Sequence, residues 1–172
     1  MNLNLNELVQ QVNGEFAERF EGRNLDLICI LQPEPLLIRA DSRRIWRVLE
    51  NLYVNVCKYA MPGTRVYVDA IKKDGKIQLS IKNISENPLN FQADELTERF
   101  IRGDVSRSTE GSGLGLSIAK NLTVLQHGSF NIYLDGDLFK VKITFDEAVK
   151  EKKPMPPMIV PEAVQEEAQQ DA

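Results

Sequence analysis

Three glycines stand within five residues of the sequence, immediately before a stretch with helical periodicity. The segment is EGSGLGLSIAK, in which Gly111, Gly113 and Gly115 precede the apolar pattern. Glycine has no Cβ, so a glycine-rich backbone can approach a phosphate chain closely at the N-terminus of a helix. The same spacing is also typical of a plain flexible turn. Taken alone, the segment leaves both interpretations open.

Two amides and one ammonium share an edge of the longest helical pattern. When residues are placed at intervals of about 100° from Ile45, Asn51, Asn55 and Lys58 fall beside the apolar stripe, with Tyr59 between them and the core. An amide oxygen is a hard neutral ligand for Mg²⁺, which bridges substrate phosphates, and a lysine ammonium is a point charge for phosphate oxygens. The alternative is that these side chains are solvated or bonded to neighbouring backbone. The pattern is compatible with a Mg²⁺–phosphate site without deciding it.

The elements that must position these residues follow from hydrophobic periodicity. Helical spacing runs through LNLNELVQQVNGEFAERFEGRN, with Asn6 as a candidate N-cap and Gly22 as a stop. Asp41 is a candidate N-cap for the long helix SRRIWRVLENLYVNVCKYA. Alternating strands flank Asp74-Gly75 and Asp135-Gly136, and this dipeptide is typical of hairpin turns.

Two short strands and a last helix complete the predicted fold. LDLICIL and PLLIRA predict the strands, and residues 114–126 predict the helix. Residues 84–111 have a weaker pattern, with one short helical piece at 95–100, which is typical of a lid or a disordered segment. Three helices covering one face of a mixed, mostly antiparallel sheet form an α+β fold, a two-layer α/β sandwich.

Composition excludes several classes of protein. The chain has 172 residues and a net charge of −4, which suits one domain and does not suggest nucleic-acid binding. No apolar run near 18 residues predicts a transmembrane span, and no signal peptide is recognised, so a cytoplasmic domain is the simplest interpretation. Cys29 and Cys57 stand in apolar runs and are expected to be buried hydrophobes. His127 is the only histidine, which rules out a multi-histidine metal site.

The composition changes near the C-terminus. Residues 149–172 are rich in proline, glutamate and glutamine, so they predict a mostly disordered tail, and residues 1–148 are predicted to form the domain. The apolar segment MPPMIVP is the part of this tail that is suited to docking.

Three segments, in this order, resemble the sequence boxes of the histidine-kinase ATP-binding domain. LENLYVNVCKYAMPG is similar to its N box, ERFIRGD to its F box and GSGLGLSIAK to its second glycine box. The resemblance covers roughly residues 41–145. It implies a Bergerat-type fold, shared with Hsp90, MutL and DNA gyrase ATPases, that binds ATP and Mg²⁺ beneath a lid. It also implies an enzyme module, the catalytic domain of a two-component sensor histidine kinase.

The resemblance assigns roles to residues of the long helix. Asn55 would coordinate Mg²⁺ and Asn51 would support it, while Lys58 would reach phosphate and Tyr59 would pack near the nucleotide. Asn55 and Lys58, together with Arg102 of the lid, are the residues expected to act in phosphoryl transfer.

The lid and the helix after it also receive roles from the resemblance. Phe100 would anchor the lid, and Arg102 and Arg107 would approach the γ-phosphate. The glycines would bring backbone N–H groups against the triphosphate, and the helix N-terminus adds a favourable dipole. The two leucines of this segment are expected to be core residues where the helix starts. The set implied at this end of the site is Gly111, Gly113, Leu114, Gly115 and Leu116.

One position departs from the family pattern. The family follows this strand with an Asp-x-Gly-x-Gly box whose carboxylate accepts a hydrogen bond from the adenine amino group, whereas here IQLSIKN ends in Asn83 and ISENPLN has no glycine. The amide oxygen of Asn83 can still accept that bond. Losing the charge assistance should cost about 1 kcal/mol, roughly a fivefold loss of affinity. The loop should also be stiffer, because it contains Pro88. We therefore expect adenine binding that is retained but weaker.

The chain has no obvious phosphoacceptor histidine. His127 stands just before Gly128 at the end of the last helix, where we interpret it as a turn residue or a partner of the helix dipole. The partners implied by the resemblance are a histidine-bearing dimerisation domain of the same or a partner receptor, and a response regulator downstream. No nucleic acid and no direct membrane contact are expected, although the parent receptor is expected to be membrane-bound.

Three other functions stay open. With its degenerate adenine loop, the chain is compatible with a pseudo-kinase or nucleotide-sensing module whose lid reports nucleotide to a partner. A serine kinase of the anti-sigma-factor type belongs to the same superfamily. An ATPase of the Hsp90 or MutL type needs a catalytic acid near the start of the N-box helix, and Glu50 projects away from the asparagine edge.

Overall fold

A computed structural model describes residues 1–89 and 114–149. The three helices of these ranges are α1 (Leu5–Gly22), α2 (Ser42–Tyr59) and α3 (Leu114–Leu125). The seven strands are β1 (Asn2–Asn4), β2 (Asp26–Leu31), β3 (Leu37–Arg39), β4 (Arg65–Lys73), β5 (Lys76–Ile84), β6 (Ser129–Asp135) and β7 (Leu138–Asp146). None of these helices combines the length and hydropathy that crossing a membrane requires.

Five of the strands form one mixed sheet in the order β2-β4-β5-β7-β6. The β2–β4 pair is parallel and the other three pairs are antiparallel. Alternate residues of the central strands, such as Val66, Val68, Leu79 and Ile81, are buried in one core with the apolar residues of all three helices. The opposite face carries exposed side chains, among them Tyr133. The predicted α+β sandwich, with its mostly antiparallel sheet covered on one face, is confirmed.

A small second sheet closes one end of the molecule. The predicted strand in PLLIRA is β3, and it pairs in antiparallel orientation with β1, with Leu3 opposite Ile38. The sequence analysis did not predict β1, because a three-residue strand is too short to show a period.

The predicted cap of α1 was wrong by two residues. Asn4, not Asn6, is the N-cap: its Oδ1 accepts a hydrogen bond of 3.2 Å from the backbone N–H of Asn6. The side chain of Asn6 instead points into the protein, where its Nδ2 donates to the carbonyl oxygens of Gln32 and Glu34, both at 2.9 Å. Gly22 is the last residue of the helix, as predicted.

The predicted cap of α2 and the first hairpin turn are confirmed, and the second hairpin forms with its turn shifted by one residue. Asp41 Oδ1 accepts from the backbone N–H of Arg43 at 2.9 Å, which satisfies a free donor of the first turn. Asp74 and Gly75 both have positive φ, +52° and +72°, as a type I′ turn requires. In the second hairpin the two-residue loop is Gly136-Asp137, one residue later than predicted, and Gly136 has a φ of +57°.

Helix α3 is followed by a histidine in the left-handed conformation, at a position where glycine is usual. His127 has a φ of +63°, and its backbone N–H donates to the carbonyl of Val124 at 3.0 Å. Gly128 N–H donates to the carbonyl of Thr123 at 3.0 Å, so the two residues form the turn that ends the helix. The interpretation of His127 as a turn residue is confirmed.

Two predicted segments lie outside the described residues. They are the lid with its short helical piece at 95–100, and residues 150–172 of the C-terminal tail. The boundary between a domain at 1–148 and a tail at 149–172 stays a prediction.

Asn83 occupies a core position at the end of β5. It continues the buried row of Ile77, Leu79 and Ile81, and only 3% of its surface is exposed. Its Oδ1 has no hydrogen-bond partner, and among the described residues nothing bonds to its Nδ2. A buried acceptor without a partner destabilises a folded protein by about 1–3 kcal/mol.

Replacing His127 by glycine should stabilise the protein. A left-handed conformation is costly for a residue with a Cβ and free for glycine, so His127→Gly should raise the free energy of unfolding by about 0.5–1 kcal/mol in urea titrations. Gly128→Ala is the opposite control, because the added Cβ would lie 2.5 Å from a ring carbon of Phe145. An unfolding midpoint of His127→Gly below that of the parent chain would contradict the prediction.

Replacing each of the two buried asparagines by leucine should change the free energy of unfolding in opposite directions. Asn83→Leu removes an acceptor without a partner and extends an apolar row, so the free energy of unfolding should rise by about 1 kcal/mol. Asn6→Leu also removes an acceptor without a partner, but it leaves the carbonyls of Gln32 and Glu34 without their two donors. Because two groups lose partners and one unpartnered group is removed, the same quantity should fall by about 1–3 kcal/mol. Calorimetric or urea unfolding of both variants measures the difference. Equal destabilisation of the two would contradict it.

Candidate functional site

Helix α2 packs against α1 on the side opposite its polar edge, the edge that carries Asn51, Asn55 and Lys58. On its buried side, Tyr53 packs edge-on to Phe16, with ring centroids 5.4 Å apart, and stacks on Phe20 at 5.6 Å. The hydroxyl of Tyr53 donates a hydrogen bond to Asn13 Oδ1. These contacts with α1 fix the rotation of α2 about its axis.

The candidate Mg²⁺ ligands are therefore presented at the border of the core. Asn51 and Asn55 are half-buried and Lys58 is exposed. Among residues 1–89 and 114–149, no hydrogen bond or ion pair engages their side chains. Two amides and an ammonium on successive turns of α2, which have no partner within the described part of the chain, are therefore available to a ligand.

The C-terminal end of α2 is joined to the end of β5 by backbone hydrogen bonds. The N–H of Met61 donates to the carbonyl of Ile84, and the N–H of Glu86 donates to the carbonyl of Tyr59, both at 2.8 Å. Ala60 and Ser85 form an isolated β-bridge between the same segments. We refer to residues 59–61 and 84–86 as the α2–β5 junction.

Two neighbouring elements brace this junction. The N–H of Ser85 donates to the carbonyl of Asp137 in the β6–β7 turn at 2.7 Å. The guanidinium of Arg23, just after α1, donates to the carbonyl of Ala60 at 3.0 Å and lies 3.6 Å from the carboxylate of Glu86. The junction is therefore tied to a hairpin turn on one side and to the end of α1 on the other.

The junction explains how the loop after Asn83 forms without glycine. No residue of 84–89 has a positive φ, so the described part of the loop adopts backbone conformations that any residue can adopt. Its shape is held by the hydrogen bonds of Ser85 and Glu86. The expectation that this loop is stiffer than a glycine-containing one stays a prediction.

Asn83 lies one residue before the junction, beside the last turn of α2. Its position on the buried row of β5 directs the side chain toward the helix layer, on the same side of the sheet as α2. The buried amide without a partner and the polar edge of α2 therefore lie at one end of the same layer. A ligand with a hydrogen-bond donor would satisfy Asn83 Oδ1.

The start of α3 meets the other end of the polar edge. A Cβ placed on Gly115 would lie 3.7 Å from the backbone oxygen and 3.8 Å from Oδ1 of Asn51, so the first turn of α3 lies against α2 there. Leu116 is 2% exposed and belongs to the core, as expected. Leu114 is the first residue of α3. Gly115 and Asn51, 64 residues apart in sequence, therefore lie against each other.

The result is an elongated site with two chemically distinct ends. From Asn51 to Tyr59 the axis of α2 rises by about 12 Å, from the N-terminus of α3 to the α2–β5 junction. A helix N-terminus favours an anion, whereas a buried amide acceptor favours a donor group on a less polar ligand. The sequence analysis missed the junction, because its hydrogen bonds join backbone atoms and no side-chain pattern encodes them.

Burial affects the titration of one tyrosine and of both cysteines. Burial raises the pKa of Tyr53, and burial also raises the pKa of Cys29 and of Cys57, so these groups stay protonated at neutral pH. No cluster of three histidine, cysteine or carboxylate side chains that could hold a metal occurs among the described residues.

Five of the predicted site residues lie outside the described residues. They are Phe100, Arg102, Arg107, Gly111 and Gly113. Their roles at the nucleotide stay predictions, as do those of the residues that the structure does place.

Comparison with known proteins identifies the family. The sequence profile of histidine kinase-, DNA gyrase B- and HSP90-like ATPases matches residues 40–152. The chain is 28% identical over 144 residues to the sensor histidine kinase RppB of Synechocystis, covering 81% of this chain and 32% of RppB. It is 31% identical over 123 residues to the signal transduction histidine-protein kinase BaeS of Escherichia coli, covering 70% of this chain and 26% of BaeS. The chain thus spans about a third or less of these relatives.

Solved structures agree with the sequence comparison. The catalytic domain of the histidine kinase ThkA superposes with a TM-score of 0.74 at 25% identity, over 86% of this chain and 95% of that domain. ThkA in complex with the response regulator TrrA has the same fold, with a TM-score of 0.69 at 24% identity, over 88% of this chain and 43% of that one. The chain belongs to the family of histidine kinase-, DNA gyrase B- and HSP90-like ATPases, and within it to the catalytic domains of two-component sensor histidine kinases.

Proposed function

We propose that this domain binds Mg-ATP along α2 and delivers the γ-phosphoryl group to a histidine on a dimerisation domain. The observation that carries the proposal is a site with two ends. One end has a buried acceptor without a partner at Asn83, and the other has the Asn51 amide, unpartnered among the described residues, beside the N-terminus of α3. The base would lie at the α2–β5 junction and the phosphates near Asn51. The dimerisation domain would belong to the same or a partner receptor in the cytoplasm, and a response regulator would act downstream.

The residues present fit an adenine base. Asn83 Oδ1 is an acceptor without a partner at a position where the 6-amino group of adenine would donate. Tyr59 is half-buried in the last turn of α2 and offers a ring beside the base. A purine at this place would satisfy the buried acceptor that the protein itself leaves open.

The residues present also fit a magnesium ion held through the nucleotide. Asn55 and Asn51 would supply neutral amide oxygens, which suit Mg²⁺ when phosphates and waters complete its octahedron. When bound, the ion would neutralise charge on the phosphates. Lys58, exposed and without a carboxylate partner among the described residues, would add a positive charge at the phosphates.

The domain's contribution to phosphoryl transfer would be positioning and charge neutralisation. The transition state of such a transfer needs little covalent assistance from the enzyme. A neutral histidine is already nucleophilic, so the acceptor needs no general base from this chain. Arg102 of the lid would complete the charge neutralisation at the γ-phosphate. The whole reaction therefore requires a second domain that carries the histidine.

A nucleotide-sensing module without kinase activity is the second candidate. The observation that favours it is the amide at position 83, since a neutral acceptor binds the amino group less strongly than a carboxylate. Such a module would bind nucleotide and change a partner without transferring phosphate.

Removing the proposed magnesium ligand should abolish the effect of magnesium on binding. Asn55→Ala should weaken ADP binding in the presence of Mg²⁺ by about tenfold or more, and leave binding in EDTA unchanged, as measured by calorimetric titration. Asn131→Ala, an exposed asparagine of β6, is the matched control and should bind like the parent chain. Equal binding of Mg-ADP by Asn55→Ala and the parent chain would contradict the assignment.

Transfer itself separates the proposed functions. With ATP labelled at the γ-phosphate, label should move to an added histidine-bearing dimerisation domain as an acid-labile phosphohistidine, and Lys58→Ala should slow this transfer by about tenfold or more. Nucleotide binding without transfer would favour the sensing module. Hydrolysis by the isolated chain would favour an ATPase of the Hsp90 or MutL type.

A further inference from the structure

The amide of Asn83 is buried, and no hydrogen bond to another described residue fixes its orientation. The residue is 3% exposed and Oδ1 has no partner, while no described residue bonds to Nδ2. The other deeply buried asparagine, Asn6, also has an Oδ1 without a partner, but two bonds from its Nδ2 to backbone carbonyls fix the orientation of its amide. Rotation of the Asn83 amide about its last side-chain bond therefore breaks no hydrogen bond within the described protein.

An amide side chain has both a hydrogen-bond acceptor and a hydrogen-bond donor, whereas a carboxylate has acceptors alone. Oδ1 accepts and Nδ2 donates, whereas an ionised carboxylate only accepts. The last torsion of asparagine is broad and roughly two-fold, so a half-turn exchanges the positions of oxygen and nitrogen. Asn83 can therefore place either Oδ1 or Nδ2 at a given position beside the ligand, with the other atom next to it.

The 6-aminopurines and the 6-oxopurines carry donor and acceptor in opposite positions at C6 and N1. Adenine has a 6-amino donor beside the N1 acceptor, whereas inosine and guanosine have a 6-oxo acceptor beside an N1–H donor. Asn83 in one orientation matches the first edge, and after a half-turn it matches the second. A carboxylate at the same place could accept from the 6-amino group or from N1–H, but it has no donor for the 6-oxo oxygen and would repel it.

We propose that Asn83 makes this site permissive for the purine base, so that it binds 6-oxopurine nucleotides nearly as well as 6-aminopurine nucleotides. The inference rests on the proposed function, because it places the base at the α2–β5 junction. The acceptable phosphoryl donors would then include inosine and guanosine triphosphates beside ATP. Asn83 is the specificity-determining residue, and the choice between the two orientations of its amide is made by the ligand.

The test compares ADP with inosine diphosphate, which has the 6-oxo edge and no 2-amino group. Calorimetric titration with Mg²⁺ should give dissociation constants within about tenfold of each other for the parent chain. Asn83→Asp should bind ADP about fivefold more tightly and inosine diphosphate more weakly, widening the ratio by about tenfold or more. Asn131→Asp makes the same chemical change on an exposed strand and should leave the ratio unchanged.

A third variant keeps the test independent of whether the aspartate is tolerated. Asn83→Leu removes donor and acceptor together, so it should weaken both nucleotides alike and keep their ratio near that of the parent chain. A parent chain that binds ADP but binds inosine diphosphate more than about tenfold less well would overturn the inference and leave the proposed function standing. If a folded Asn83→Asp variant keeps the parent chain's ratio of the two dissociation constants, the inference is likewise overturned and the proposed function stands. Binding of neither nucleotide at millimolar concentration would overturn both.

Discussion

The backbone hydrogen bonds of the α2–β5 junction are the constraint on which the site depends. They connect the last turn of the helix that carries Asn51 and Asn55 to the strand that carries Asn83. Each bond joins main-chain atoms, so its geometry is largely independent of which side chains occupy the two segments. This arrangement lets the loop after β5 vary in sequence while the helix edge and the strand end keep their relative positions. Up to residue 89, the junction holds the loop in a conformation that requires no glycine.

The sequence was sufficient for elements whose causes are local. Asp41 caps α2 because its own side chain reaches the first free N–H groups, and Asp74-Gly75 forms a tight turn because both residues tolerate positive φ. The polar edge of α2 was also predictable, since it follows from helical geometry alone. These features needed no knowledge of what lies across the core.

Features that depend on tertiary contacts could not be predicted in the same way. Asn4 and Asn6 are equally good caps in sequence, and the choice between them is made by Gln32 and Glu34, whose carbonyls take the Asn6 side chain. The meeting of Gly115 with Asn51 requires residues 64 positions apart in sequence to pack, and no local pattern contains that information. The resemblance to a family supplied this arrangement, whereas periodicity and composition did not.

Asn83 is a polar residue at a position where the fold buries apolar side chains. Every other position of its buried row is apolar, and an aliphatic residue there would remove the cost of an acceptor without a partner. The Asn6 amide differs in that its Nδ2 donates to two backbone carbonyls, although its Oδ1 also has no hydrogen-bond partner. Conflicts of this kind concentrate at functional sites, where a cost to the free protein is recovered on binding. Under the proposed function, Asn83 would therefore link the stability of the free domain to the identity of the bound base.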